Sequence, residues 1–417
     1  MTTIQETDVL IIGAGPAGLS SAIALRRQGV AHVTVVDREP EPGGMPRLCH
    51  HTGFGIWDFH RLYSGPAYAR RYVQQARDAG VHLRAQTTVI GWEDGLTLTY
   101  TSPAGMGALR GRAVLLATGV RERPRSARLV PGYRPRGIFT TGSLQRFVDE
   151  RHLPVGRRAV IVGAEGVSLS AFLTLHKAGV QVAAFLTDLP RHQMYFPYAP
   201  AKWLFVDALH RTPIRTQVRI SRILGRKRVE GVEITHLSTG QREVIACDTV
   251  VFTGDWIPEH EVARQGDLVM DPGTRGPQVD VAFRTSRPGV FAAGNLLRGA
   301  ETAATSALEG RQAARQVLAF LHGQPWPAHR LPVLVEPPLL WVLPNSLAPT
   351  DLHAPAKVTF RVTQFVENAT VEVRQGKRLL HTQPFRHLLP NETLRLSGAW
   401  LTRVEPHGEP VVLKLGG

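Results

Sequence analysis

Residues 8–37 read DVLIIGAGPAGLSSAIALRRQGVAHVTVVD, and no other stretch restricts the fold as tightly. An apolar run, Val9–Ile12, ends in Gly13-Ala14-Gly15-Pro16-Ala17-Gly18. An apolar, Ala-rich helical pattern follows and stops at Gly29; a second apolar run, Val33–Val36, closes on Asp37 and Arg38. Strand, glycine turn, helix, strand and acid within about 30 residues form a dinucleotide-binding fingerprint. Gly13 permits the tight turn, Gly15 lets backbone approach a pyrophosphate, and Gly18 lets the helix sit close to the sheet. The helix N-terminus, opened by Pro16 and Ala17, offers N–H groups and partial positive charge to phosphates. Asp37, about 20 residues beyond the glycines, can accept hydrogen bonds from a ribose.

The 417-residue length predicts two or three domains. Apolar residues at 43% and charged residues at 20% suit a globular chain with a sizeable core. No apolar run approaches the roughly 18 residues of a membrane span. The first strand begins almost at the N-terminus, which predicts no signal peptide. A cytoplasmic location is therefore expected, with membrane attachment only through a complex. The net charge is +15 and the pI about 10.6. The arginines are dispersed and no nucleic-acid module is recognisable, so an anionic cofactor or acidic partner is expected rather than nucleic acid. Two cysteines, Cys49 and Cys247, supply neither a disulfide framework nor an iron–sulfur ligand set, and no metal site is expected.

A second copy of the opening unit begins at Arg158: RAVIVGAEGVSLSAFLTLHKAGVQVAAFLT. Gly163 and Gly179 repeat the spacing of Gly13 and Gly29, but Glu165 and Ser168 replace the other two glycines. A side chain at the middle position obstructs backbone approach to a pyrophosphate. A carboxylate there adds repulsion of about 4 kcal/mol at ~4 Å with an effective dielectric of ~20. NAD(P)H binding to this copy is therefore disfavoured, and a retained scaffold with another role is expected; the alternative is a rearranged site for a different nucleotide, because Gly166 is kept.

Elsewhere, the paired Gly43-Gly44 allow the chain to turn back beneath the first pyrophosphate. The following loop, MPRLCHHTGFGIWDFHRLYSGP, is dense in His, Arg and aromatic residues. Val81–Ile90 reads as a strand, and Val114–Leu116 as a buried strand ending in Ala117-Thr118-Gly119. Met194–Leu209 is aromatic-rich, and Thr302–Gln316 reads as a helix. From Leu331 onward the alternation of Val358, Phe360 and Val362 with Thr359, Arg361 and Thr363 predicts a small β-sandwich, immunoglobulin-like in strand spacing.

The glycine motif, the paired glycines, the ATG after a buried strand and the later Gly289-Val-Phe-Ala-Ala-Gly294-Asn295 occur in one order. Together they resemble the two-dinucleotide-binding-domain flavoproteins, the superfamily of thioredoxin and glutathione reductases. The resemblance implies an α/β fold in which an FAD-binding Rossmann-like domain (1–125 and 256–325) is split by a second Rossmann-like insert (126–255). The small β domain (331–417) lies outside it. It also implies that Gly13, Gly15, Gly18, Asp37, Gly44, Ala117, Thr118 and Gly119 line FAD, with Pro16, Ala17 and Arg38 beside them. Val89 would touch the adenine through its backbone, Gly294 and Asn295 would lie at the ribityl and pyrophosphate, and Thr302 would open the helix aimed at the flavin ring. The family usually has Asp where this chain has Asn295.

GGMPRLCHHTGFG, SGPAYARR, VGAEGVSLSAFLTL and FTGDWIPEHE further resemble the FAD-binding subunits of opine oxidase, hydrogen cyanide synthase and archaeal L-proline dehydrogenase. The flavoprotein partner of anaerobic glycerol-3-phosphate dehydrogenase is also similar. In that branch a second flavoprotein subunit oxidises the substrate, and the subunit that resembles this chain relays electrons. Many relatives carry a C-terminal cysteine cluster that this chain lacks, so no electron acceptor is indicated. Without two closely spaced cysteines a disulfide-reductase role is not expected, although Cys49 could act as a lone thiol. Arg47, His50 and His51 are candidates for flavin charge tuning or proton transfer. The alternatives are a stand-alone NAD(P)H-dependent flavoprotein reductase and a non-enzymatic assembly subunit stabilised by FAD.

Overall fold

The computed structural model describes residues 4–195, 198–353 and 356–416; Phe196 and Pro197 of the aromatic-rich segment lie outside it. The chain forms two compact units. The first comprises Met1–Arg47, Thr52–Arg121 and Ile257–Gly417; the second comprises Leu48–His51 and Glu122–Trp256.

In the first unit, the Ile4–Ile12 strand pairs in parallel with Val33–Val36 on one side and Gly105–Leu116 on the other. Val290–Ala292 adds in parallel to the far half of Gly105–Leu116, whose near half pairs antiparallel with Thr97–Ser102. The register aligns Ile12 with Val36 and Leu116, and Leu116 with Ala292. The carboxyl ends of these strands therefore share one edge, where ligands bind in open α/β sheets. The first strand has no exposed face after Thr7. Val9 and Ile11 join a core with Leu19, Ile23 and Leu25 of the Pro16–Arg27 helix, while Leu10 and Ile12 join the core on the other face. That two-sided burial is why the strand reads as an unbroken apolar run.

The expected Val81–Ile90 strand is interrupted. Gln86 adopts φ +50° and breaks it into His82–Arg84 and Thr88–Trp92. The Thr302–Gln316 helix is longer than expected, running from Ala303 to Leu321.

The C-terminal β residues belong to the first unit. They form a five-stranded and a three-stranded sheet around a core including Val333, Phe360, Val371, Val373, Trp400 and Leu413. Trp341 and Leu343 instead join the core beneath the seven-stranded sheet. Buried ion pairs bind the two layers. Arg284 donates to Asp280 at 2.7 Å and to Asp351 at 2.8 Å, and Arg361 donates to Glu301 at 2.6 Å and to the Ala300 carbonyl at 2.8 Å. Burial raises Asp351, and the neighbouring Asp280 carboxylate raises it further. Burial also opposes ionisation of Glu301, but Arg361 and Arg298 outweigh it and hold the carboxyl below its ordinary range.

The second unit contains the second βαβ copy. Arg158–Val162 pairs in parallel with Gln181–Leu186 and with Thr249–Phe252, and Gly166–Lys177 is the crossover helix. Val218–Leu224, Gly231–His236 and Arg242–Ala246 form a separate antiparallel sheet.

Candidate dinucleotide site of the first unit

The site grows from the shared strand edge. Each strand end hands its chain to the next by a backbone hydrogen bond: Gly13 N–H to Val36 O at 2.8 Å, Ala117 N–H to Ile12 O at 2.8 Å, and Ala293 N–H to Leu116 O at 3.0 Å. This lattice brings Gly13–Gly18, Asp37, Ala117-Thr118-Gly119 and Gly294-Asn295 to one edge. A Cβ on Gly18 would stand 2.0 Å from the Gly13 carbonyl oxygen, so only glycine lets the helix start this close to the turn. A Cβ on Gly15 meets no protein atom within 4 Å, leaving the helix N-terminus accessible to a phosphate. Gly44 passes directly over Gly15, where a Cβ would lie 2.8 Å from the Gly15 Cα.

Asp37 closes the fingerprint. Its carboxylate accepts from Ala14 N–H at 2.6 Å and from Glu39 N–H at 2.8 Å. Burial raises its pKa, and those two N–H groups offset part of the rise. The carboxylate is thus fixed beside the turn with further acceptor capacity for a ribose diol. Thr118 donates to the Glu259 carbonyl at 2.7 Å. Arg38 is held by Glu259 at 3.1 Å, and Arg121 binds the same carboxylate at 2.8 Å. Val89 lies in the Thr88–Trp92 strand, paired with Tyr100.

Asn295 is anchored through its side-chain oxygen, which accepts from Ser306 Oγ at 3.0 Å and from Glu301 N–H at 3.1 Å. Thr302 caps the following helix by accepting from Thr305 N–H at 3.2 Å. That helix needs Gly310, where a Cβ would meet the Ala17 carbonyl oxygen at 2.1 Å. Gly310, Ser306, Glu259 and Glu301 were not singled out from the sequence. Gly310 alone left a signal, as a glycine inside an otherwise apolar helical pattern.

The residues expected to tune the redox centre are divided between the units. Arg47 ends a segment of the first unit and pairs with Glu39 at 3.3 Å and Glu41 at 3.7 Å. Cys49, His50 and His51 belong to the second. There Cys49 donates to Gln145 at 3.8 Å, His50 lies 4.0 Å from Asp149, and His51 bonds Ser170 at 2.9 Å. Burial pushes the Cys49 thiol up to about 12, which keeps it neutral and a poor nucleophile. Among the described residues no group of three or more His, Cys, Asp or Glu side chains could hold a metal ion. No described helix is long and apolar enough to cross a membrane.

The chain matches the pyridine nucleotide-disulphide oxidoreductase family over residues 7–310. It is 29% identical to a putative glutamate synthase (NADPH) small chain of Cereibacter sphaeroides, over 76% of this chain and 78% of that one. It is 28% identical to an opine oxidase subunit of Rhizobium meliloti, over 75% of this chain and 63% of that one. The fold is similar to thioredoxin reductase of T. acidophilum, with a TM-score of 0.63 and 23% identity over 76% of this chain and 99% of that one. These relatives lend no support to the expectation that NAD(P)H is disfavoured, since the first carries NADPH in its name. The accessible Gly15, the fixed Asp37 and the capped Ala303–Leu321 helix fit FAD, the cofactor of the family. With the fold and the matched span in agreement, the chain belongs to the pyridine nucleotide-disulphide oxidoreductase family and is an FAD-dependent oxidoreductase.

Proposed function

We propose that this chain is the electron-relaying subunit of a heteromeric dehydrogenase or oxidase. The substrate would be an amino acid, opine or related amine, or a glycerol-3-phosphate-like alcohol, oxidised on a second flavoprotein subunit. The observation that carries this reading is the convergence of Gly13–Gly18, Asp37, Ala117–Gly119 and Gly294-Asn295 at one strand edge, in a chain with no redox-active thiol pair. Cys49 and Cys247 are its two cysteines, they form no disulfide, and burial pushes each up to about 12. The similarity to an opine oxidase subunit supports the heteromeric setting.

FAD, when bound, supplies reversible two-electron acceptance. Gly15 and the first helix N-terminus hold its pyrophosphate and Asp37 its ribose. Gly44, Thr118, Gly119 and Gly294 shape the walls, and Asn295 orients the ribityl chain. The N-terminus of the Thr302-capped helix would offer partial positive charge to the reduced ring. Arg47, which ends a segment of the same unit, is our candidate for tuning that charge.

The test is to purify the native complex and add amine and hydroxy-acid donors anaerobically. A stoichiometric flavoprotein partner and donor-driven bleaching of the flavin are expected. A complex whose flavin stays oxidised with every donor rejects the reading. A second reading, a stand-alone NAD(P)H-dependent reductase, is favoured by the NADPH in a relative's name. Rapid bleaching by NADPH in the isolated chain would select it.

A further inference from the structure

The insert keeps the backbone of a nucleotide site and fills it with its own side chain. Glu165 caps the Gly166–Lys177 helix with φ −114° and ψ −176°; Gly15 caps the first helix with φ −81° and ψ −176°. The two positions are conformationally equivalent, and both are extended backbone open to any residue. From this position the Glu165 side chain turns inward and is 6% exposed. Its carboxyl lies where a Cβ on Gly163 would come within 2.8 Å of Oε2, and one on Gly254 within 3.2 Å of Oε1. It is therefore lodged between the ends of the Arg158–Val162 and Thr249–Phe252 strands, in the crevice where a dinucleotide pyrophosphate sits.

Neighbouring residues fix it there. Ser168, in place of the third glycine, is buried and donates to the Glu165 carbonyl at 2.5 Å. Arg128 donates to the carbonyls of Thr253 at 3.0 Å and Gly254 at 2.6 Å, which places a cation near the carboxyl. The helix start is covered as well: a Cβ on Gly166 would strike the Tyr198 ring at 2.8 Å. The Thr253 side chain hydrogen-bonds the carboxyl, while Oε1 has no hydrogen-bond partner, so the group is held by the space it fills and by bonds on one side only.

We infer that Glu165 closes the insert's pyridine-nucleotide cradle from within, so that neither NADH nor NADPH occupies the place that the family fold provides for one. The inference deepens the proposed function and rests on its reading that electrons reach the flavin from another protein. It makes Glu165 the residue that sets donor specificity.

Isothermal titration of the flavin-loaded protein with NADH and with NADPH tests it, comparing wild type, Glu165→Gly and Glu165→Gln. Wild type and E165Q should show no saturable binding, because the amide fills the same space. E165G should bind at least about ten-fold more tightly than wild type. E165A, also compatible with the extended backbone, replaces E165G if that variant does not fold. Saturable wild-type binding would overturn the inference. So would a folded E165G or E165A that binds no better than wild type, or an E165Q that binds as well as E165G. Because titration reads nucleotide binding directly, its result stands apart from any failure to find an amine donor or a second flavoprotein.

Discussion

Gly15 and Glu165 occupy the same backbone position in two copies of one strand–turn–helix unit, and the copies agree in detail around them. Gly13 N–H bonds Val36 O at 2.8 Å, and Gly163 N–H bonds Leu186 O at 2.8 Å. In each copy a returning loop donates to the residue after the first glycine, from Gly43 to Ala14 and from Gln193 to Ala164, both at 2.8 Å. Asp37 accepts from the N–H two residues on, and Thr187 does the same from Leu189 at 3.3 Å. The returning Gly44 skims Gly15, whereas its counterpart Met194 is a buried apolar side chain. A duplicated backbone can thus keep its hydrogen bonds while its side chains decide whether a ligand enters. The first copy kept small residues and a carboxylate at the rim; the second moved a carboxylate into the centre.

Exchanging the two residues should have the largest effect. Gly15→Glu places the insert's residue in the first cradle, where repulsion of about 4 kcal/mol against a phosphate corresponds to roughly a thousand-fold weaker binding. The purified variant should carry almost no flavin, and stoichiometric flavin absorbance would refute the equivalence. Asp37→Ala removes the charged acceptor proposed for the ribose, a bond worth about 1.5–3 kcal/mol, and with it the anchor of the Ala14 and Glu39 N–H groups. Flavin dissociation should accelerate by tens of fold, read by fluorescence recovery on dilution.

Glu165→Gln tests the insert through pH. Burial raises the Glu165 pKa above its ordinary 4.5, so the folded state binds that proton more tightly than the unfolded state. Stability is therefore lost as pH rises from about 4.5 through the raised folded value, and the penalty is absent below it. E165Q should melt a few degrees higher than wild type at pH 8, and the gap should close toward pH 4. A gap that widens on acidification would contradict a desolvated carboxyl. The smallest effect belongs to Ser168→Gly, which restores the third glycine but removes the bond to the Glu165 carbonyl. A loss of about 1 kcal/mol in denaturant midpoint stability is expected, with flavin content unchanged.

The strand–turn–helix copies, Asp37, and the substitutions at Glu165 and Ser168 were legible in the sequence because local spacing encodes them. The direction of the Glu165 side chain was not. Sequence placed a carboxylate against an incoming phosphate, but its inward turn depends on Gly163 and on Gly254, far along the chain. The same limit hid the assignment of Cys49, His50 and His51 to the second unit, since their bonds run to Gln145, Asp149 and Ser170. Asn295 stands where the family usually has Asp, and its oxygen accepts from Ser306 and Glu301, which leaves its amide N–H groups as donors.

The pairing of Arg361 with Glu301 bears on how freely such a chain could be shortened or recombined. Glu301 lies between Asn295, which its N–H supports, and the cap at Thr302, while Arg361 comes from the C-terminal sheets. Cutting before Leu331 would leave Glu301 short of a cation and Arg284 short of Asp351, and breaking a buried pair from one side costs about 3–5 kcal/mol. It would also uncover the core that Trp341 and Leu343 complete. The β-sheets are therefore not a tag to be trimmed or swapped among relatives: they behave as a keystone, and a graft from another member would have to bring its own equivalent of Arg361.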